Sequence, residues 1–531
     1  MYSLAVATRT MAVATLVSRI TGFLRQLGLA AVLGLGLVND SYTVANTLPA
    51  MLYEILLGGV LTSVIVPLLV RAAKEDPDQG EAYIQRLVTV SFVTLCAASV
   101  LAVVAAPFLA VLFLGTGEGA NPQLATVFGY LLLPLILFYG LSGLFGAILN
   151  ARSIFGPPAW APVLNNVIVL VSLGVYVLVP GEISVNPARL SDPKLLVLGL
   201  GTMAGILAQA LVQLPSLRRA GFHFGWRWGW DSRLTQASGM AAWFILYVLI
   251  GQLGFIITTR SAAQGDPGGV VIYSLVWLIL QLPYGVLGYS LLTAIMPRMS
   301  RAAADADWRG VVEHLSLGSR YLIVLLAPIV VVFTLAGESI GVALFSLGKA
   351  GSDAERLGLA LAVSAFGLLP YAVTMLQLRV FYAMADARTP TMINAIVVAV
   401  KLPLLLACPV FLDGADVVLG LTAANSLSLV VGALVGQAWL RWRLGRVETK
   451  RSLITFRNCV IGAVPAVGAV LGLRAVTDLP GVSGAWLDLT FTTLIVGVVM
   501  GLTLLVMRTP ELTDALRTPV LDRLNRLGRS R

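Results

Sequence analysis

Long stretches without charge recur from one end of this chain to the other, each about 20 residues or more. In lipid every backbone N–H and C=O must be satisfied inside the protein, which leaves only helices and closed barrels. A barrel strand needs about 9–11 residues, much less than these stretches provide. The chain is therefore expected to be a bundle of membrane-spanning helices. Its composition agrees: 58% of the 531 residues are hydrophobic and 12% charged, against about 45–50% and about 25% in soluble domains. An ordinary soluble enzyme is excluded.

Apolar runs between polar breaks give fourteen spans, at 8–36, 40–70, 84–114, 124–150, 158–179, 194–217, 234–262, 269–300, 311–336, 356–385, 389–411, 416–440, 453–474 and 485–507. The breaks carry turn chemistry, as in Asn39-Asp40, Gly156-Pro157-Pro158 and Asp266-Pro267-Gly268. The N-terminus does not read as a cleavable signal, because arginines interrupt its apolar part and the stretch runs on as a long helix. Basic residues alternate from loop to loop. Of the 36 Lys and Arg, 25 fall in the N-terminus, every second connection and the tail, and six fall in the opposite loops. Basic loops stay cytoplasmic, so both ends are expected inside. The net charge of +10 is thus a topology signal, and no nucleic-acid partner is expected.

The sequence repeats. Gly146–Pro158 resembles Phe381–Ile393, the run around Pro49 resembles that around Pro283, and Thr62–Ala73 resembles Thr293–Ala303. An offset near 235 residues makes two copies of six spans. An even number of spans keeps the copies in one orientation, related by an axis along the membrane normal, as in transporters built of parallel repeats. The expected fold is an all-α polytopic membrane protein with two pseudo-symmetric six-helix lobes, at 1–233 and 234–445. Two further helices lie at 446–508 and a basic cytoplasmic tail at 509–531.

Cys96, Cys408 and Cys459 are far apart, without a CxxC pair, and read as small buried hydrophobes. His223 and His314 stand in no ligand motif, so no metal and no cofactor is expected. Charge within the spans is the sharper signal, because such residues usually face a cavity. Arg19 and Arg25 in Ser18–Gln26 are the clearest case. They lie about 120° apart around a helix and about 9 Å along it, close enough for long side chains to converge on one anion. Guanidinium suits phosphate through its planar fork of donors. Glu54, beside Tyr53, is either the ion-pair partner of an arginine or a coupling group. Asp40, with Ser41, reads as the N-cap of the second span or as a gating contact at its outer end. Pro49 and Pro283 bend matching helices and are candidate gate hinges. Gln281 and Tyr284 flank Pro283 as candidate cavity groups. Arg320, Arg379 and Lys401 are expected to reach the membrane interface. The tail after Arg508 has the spacing of a basic amphipathic helix on anionic membrane lipid.

The strings SRITGFLRQ, NDSYTVANTLPAML, GAILNARSIFGPPAWAPVLNN, LPYGVLGYSLLTAIMPRMS and LQLRVFYAMADARTP, in register over the first twelve spans, resemble the MurJ/MviN family of lipid II flippases, most closely its actinobacterial members. The resemblance implies a fourteen-helix fold of the multidrug/oligosaccharidyl-lipid/polysaccharide (MOP) exporter type, MATE-like, and a transporter rather than an enzyme. The implied substrate is lipid II, an undecaprenyl-diphosphate-linked peptidoglycan precursor moved from inner to outer leaflet of the bacterial plasma membrane. Cell-wall synthesis and regulatory proteins are implied as partners. Arg19 and Arg25 fall on the family's two first-helix arginines, taken to hold the diphosphate. Asp40 falls on its acidic position before the second helix. The last two helices would supply a groove for the lipid tail. Where many members carry a basic pair in the second helix, this chain has Tyr53-Glu54, and where many carry an arginine before the eighth-helix proline it has Leu278. Two competitors share parts of this pattern: an exporter of another polyprenyl-linked glycan or small molecule, and a membrane scaffold for cell-wall synthesis without transport.

Overall fold

The computed structural model describes residues 4–58, 66–78, 80–117, 119–229, 238–384, 386–445, 447–477 and 479–513. Among these the secondary structure is helical, with no strand. Twelve helices are long and apolar enough to cross a membrane, or thirteen if one bent pair counts as a single span. Part of the expected second span, 59–65, and the tail from 514 with its amphipathic pattern lie outside the described residues. The chain forms two compact units, one of residues 1–271 with 347–350 and one of 272–346 with 351–531.

In the first unit, α1 (Leu4–Leu33) ends where Gly34 turns to φ +79, a left-handed stop that glycine adopts without strain. Next comes α2 (Leu37–Tyr53), which contains Pro49 and passes directly into a π-helical turn, Glu54–Gly58. A proline cannot donate to the helix ladder, and the wider turn follows within a few residues of it. After α3 (Val66–Glu75), one expected span is two helices, α4 (Glu81–Val104) and α5 (Ala106–Leu114), broken at Ala105 just before Pro107. The next is also two, α6 (Pro122–Leu132) and α7 (Leu135–Ala151), bent by 46° at Pro134. Then come α8 (Gly156–Leu178), α9 (Pro193–Leu211), α10 (Leu214–Arg219) and α11 (Ser238–Gly265). Asn121 and Asp192 cap α6 and α9, accepting backbone N–H bonds just ahead of a first-turn proline. The first unit runs past residue 233 because α11 packs on α5, with Phe255 against Phe113 at 6.1 Å.

The second unit takes α12 (Gly269–Pro283) from Ile272 onward. A π-helical turn, Tyr284–Gly288, again follows the proline, before α13 (Tyr289–Ala304). Then α14 (Trp308–Phe345) extends nine residues beyond the expected 336 and kinks there, at Ala336. After it, α15 (Ala354–Ser364) and α16 (Leu368–Ala383) are parted by a short 3-10 turn, Ala365–Gly367. The remaining helices are α17 (Arg388–Phe411), α18 (Asp416–Leu444), α19 (Thr449–Val476) and α20 (Gly481–Val506). Breaks therefore recur at matching places in the two halves. The causes agree at one break and differ at the other: Pro134 and Pro370 stand at matching positions, whereas Pro107 has no proline counterpart. At the Ala336 kink, Gly337 and Gly341 let α14 press on the backbone of α15, as small residues do between membrane helices.

Two charged groups in the second unit behave differently from expectation. Arg320 does not simply reach the interface; it forms an ion pair with Glu511, whose side chain is 1% exposed. Lys401 turns inward, with Nζ 3.4 Å from the Tyr273 hydroxyl. Glu511 and Tyr273 are buried and Arg320 and Lys401 partly so, and an unpaired buried charge is costly.

Candidate functional site: an unpartnered arginine over a tyrosine floor

The site grows from α1. Asn166 of α8 donates to the Ser18 carbonyl (3.2 Å) and to Thr21 Oγ1 (3.1 Å). Gly22 stands against that amide, so it serves a close helix contact. These bonds tie α8 to the stretch of α1 at and just after Arg19. Arg19 is exposed and Arg25 half-buried. Among the described residues neither has a hydrogen bond or an ion pair, and Arg25 Nε is fully buried without a partner. Glu54 is exposed and makes no ion pair with either, so the counter-ion reading of Glu54 does not hold. It sits beside Tyr53 in the π turn that follows α2.

The Arg25 guanidinium acts electrostatically on two phenols, Tyr42 of α2 and Tyr139 of α7. Tyr42 is 2% exposed, with its hydroxyl 2.8 Å from Thr202 Oγ1 and its ring edge-on to Phe128 at 5.6 Å. Tyr139 lies near-parallel to Tyr53, with ring centroids 6.4 Å apart at 19°. Beyond this pair opens a cavity of about 300 Å³, lined by Tyr53, Tyr139, Ser142, Asn150, Gln209 and Gln213 among others. The Tyr53 hydroxyl occupies the place a Cβ on residue 143 would take, so Gly143 is what lets Tyr53 lie against α7. The structure thus brings Tyr53 together with Tyr139 at the pocket. Sequence reasoning missed Tyr42, Tyr139 and the four polar pocket residues. Their signal was polar residues within apolar spans, among them Ser142, Gln209 and Gln213.

Asp40 is not the N-cap of its own helix, because it lies inside the first turn of α2, after Gly36. It is 2% exposed and accepts from the backbone N–H of Gly268 and of Val271, both at 2.8 Å. Those are the unsatisfied donors at the start of α12, where a carboxylate also meets the positive end of the helix dipole. At the same Leu33 end of α1, Gly268 (φ +91) presses on the Leu35 carbonyl and Gly348 on that of Ala31. Lys349 reaches Glu182 at 2.8 Å.

Gln281 and Tyr284 lie in the second unit. The Tyr371 hydroxyl donates to Gln281 Oε1 at 3.2 Å. Tyr284 is 8% exposed, within an apolar core, and meets the Tyr371 ring edge-on at 5.1 Å. Pro283 ends α12 and Pro49 lies inside α2, each ahead of a π turn.

A family model described as "Lipid II flippase MurJ" matches residues 29–510. Curated relatives include a probable lipid II flippase MurJ of Vibrio cholerae, 27% identical over 71% of this chain and 72% of its own. A lipid II flippase MurJ of Burkholderia cenocepacia is 28% identical over 71% and 73%. Among solved structures, a lipid II flippase MurJ in an inward closed conformation superposes with TM-score 0.75 at 16% identity, covering 94% of this chain and 99% of that one. An inward-facing MATE-family multidrug transporter of the MOP superfamily reaches 0.66 at 15% identity, over 80% and 95%. These two likenesses show the fold.

Proposed function

Since the chain belongs to the MurJ family of lipid II flippases, we propose that it moves lipid II across the bacterial plasma membrane, with Arg25 as the anchor of the diphosphate and Arg19 as its entry partner. The observation that carries the reading is the buried, unpartnered Nε of Arg25. A buried N–H left without an acceptor is costly, and a visiting phosphate supplies the missing acceptor with charge-assisted, bidentate bonds. The phenols of Tyr42 and Tyr139 shape the floor, and Tyr53 extends it toward the pocket.

Both termini lie in the cytoplasm in this reading. The polyprenyl chain stays in lipid, along the last two helices, while the head group enters the first-half site. Asp40 acts as a gate by holding the first turn of α12 at the outer end. The π turns after Pro49 and Pro283 are the flexible joints about which the six-helix repeats, 1–233 and 234–445, rock to expose the site outward. An inside-negative potential drives the anion outward by about 2.3 kcal/mol per charge per 100 mV.

The test is lipid II translocation in proteoliposomes. Arg25→Gln abolishes or severely slows it and Arg19→Gln slows it less. Translocation at the unaltered rate in the Arg19→Gln/Arg25→Gln double variant would overturn the reading.

A further inference from the structure

We infer that the pocket beyond Tyr53 and Tyr139 holds the sugar ring joined directly to the diphosphate, making it a saccharide subsite distinct from the phosphate anchor. The inference rests on the reading of Arg25 given above.

Among the described residues, no charged side chain lines the pocket. A phosphate or the carboxylate of a peptide would meet no counter-charge there. What it offers are amides and hydroxyls. Gln213 is 1% exposed, and the two N–H groups of its Nε2 are fully engaged, shared among three acceptors, Ser142 O (3.2 Å), Ser142 Oγ (3.0 Å) and Gln209 O (3.1 Å). Its Oε1 is left buried with no hydrogen-bond partner. A buried acceptor of this kind needs a donor, and the three bonds on Nε2 stop the amide from turning to satisfy itself. Gln209 Nε2 is fixed on the same Ser142 hydroxyl at 3.2 Å, so both amides are oriented before any ligand arrives. Asn150, at the end of α7, presents an exposed amide at the rim.

The remaining wall is formed by Tyr53 and Tyr139 with Gly143, Gly146, Ala147 and Pro158. Fixed amides, a hydroxyl and tyrosine rings around an uncharged space suit a pyranose, which has hydroxyl donors at its edge and an apolar C–H face. An N-acetyl substituent would add one more N–H. The volume, about 300 Å³, is at the lower limit of small-molecule sites and suits one ring rather than two. Pro158, which borders the pocket, lies in the first turn of α8, and eight residues on, about 12 Å along that helix, Asn166 bonds to α1 at Ser18 and at Thr21, which stands between the two arginines. The sugar that follows the diphosphate is therefore the one within reach.

The experiment measures binding to the full chain in nanodiscs with two probes, bare polyprenyl diphosphate and the same lipid carrying one N-acetylhexosamine. Gln209→Leu and Asn150→Ala should each weaken the glycosylated probe about tenfold and leave the bare one unchanged, which also reports an intact fold. Gly146→Val, which adds bulk beside Gln213 Oε1, should do the same by filling the space. Arg25→Gln should weaken both probes. Equal affinity of the unaltered protein for the two probes, or equal losses on both in the pocket variants, would overturn the subsite. Unchanged binding of both probes by Arg25→Gln would instead overturn the phosphate anchor, and the difference between probes would still read the pocket. Asn150→Ala, on an exposed residue, keeps the test available if Gln209→Leu fails to fold.

Discussion

Each half of the repeat sets one tyrosine at its proline-and-π joint against another on a later helix, and the two pairs differ in what surrounds them. In the first half Tyr53 lies near-parallel to Tyr139, beside a polar pocket. In the second, Tyr284 meets Tyr371 edge-on inside an apolar core. The helix breaks agree in position and, at one of the two, in neighbours, since Pro134 and Pro370 stand at matching breaks, whereas Pro107 is answered by the glycine contact at Ala336. A duplicated backbone has thus kept its joints while its side-chain chemistry diverged. Binding groups have to be sought in each half separately.

Four experiments can break or sharpen this contrast. Tyr284→Ala opens a hole in the second-half core and should cost about 3–5 kcal/mol, read as a large fall in thermal stability in detergent. Tyr53→Ala should leave stability nearly unchanged and slow transport. Equal falls in stability would show that the two pairs are alike. Next in size, Arg25→Gln should raise the transport barrier by about 1.5–3 kcal/mol, the worth of a hydrogen bond to a charged group, whereas Arg379→Gln in the second half should change it less.

Asp40→Ala removes two backbone acceptor contacts and should cost about 1–2 kcal/mol. Cysteine labelling at the Leu33 end of α1 should then become faster, and an unchanged rate would deny Asp40 its gating part. The smallest effect is expected from Lys349→Ala, because the pair with Glu182 is exposed on both sides and is worth less than about 1 kcal/mol. The hydrogen bond from Lys349, aided by its charge, holds the Glu182 carboxyl below its ordinary value. A depressed carboxylate contributes its stability above the ordinary glutamate pKa, about 4.3, and loses it as pH falls through the lowered value. The difference between Lys349→Ala and the unaltered protein should accordingly be present at pH 7 and vanish in acid.

Periodicity and apolar length made the spans legible, because the membrane demands them whatever the side chains do. Their interruptions were harder to see. Pro107 and Pro134 were visible, yet both were absorbed into apolar runs, and the kink at Ala336 has no proline at all. Arg25 was legible because charge inside an apolar stretch is conspicuous. Tyr42 and Tyr139 were not, since a tyrosine in a span is as often core as floor, and only packing distinguishes them. Asp40 was noticed for the right place and the wrong helix: a one-dimensional reading pairs a cap with its own chain neighbours, whereas its carboxylate reaches donors 228 and 231 positions away.

The contacts at Gly268 and Gly348 join main chain to main chain. Long side chains can lengthen or swing to keep a grip while surfaces drift apart; bare peptide groups cannot. A junction of this sort is seated or lost within a small movement, so this end of the protein should snap between two arrangements rather than breathe through many.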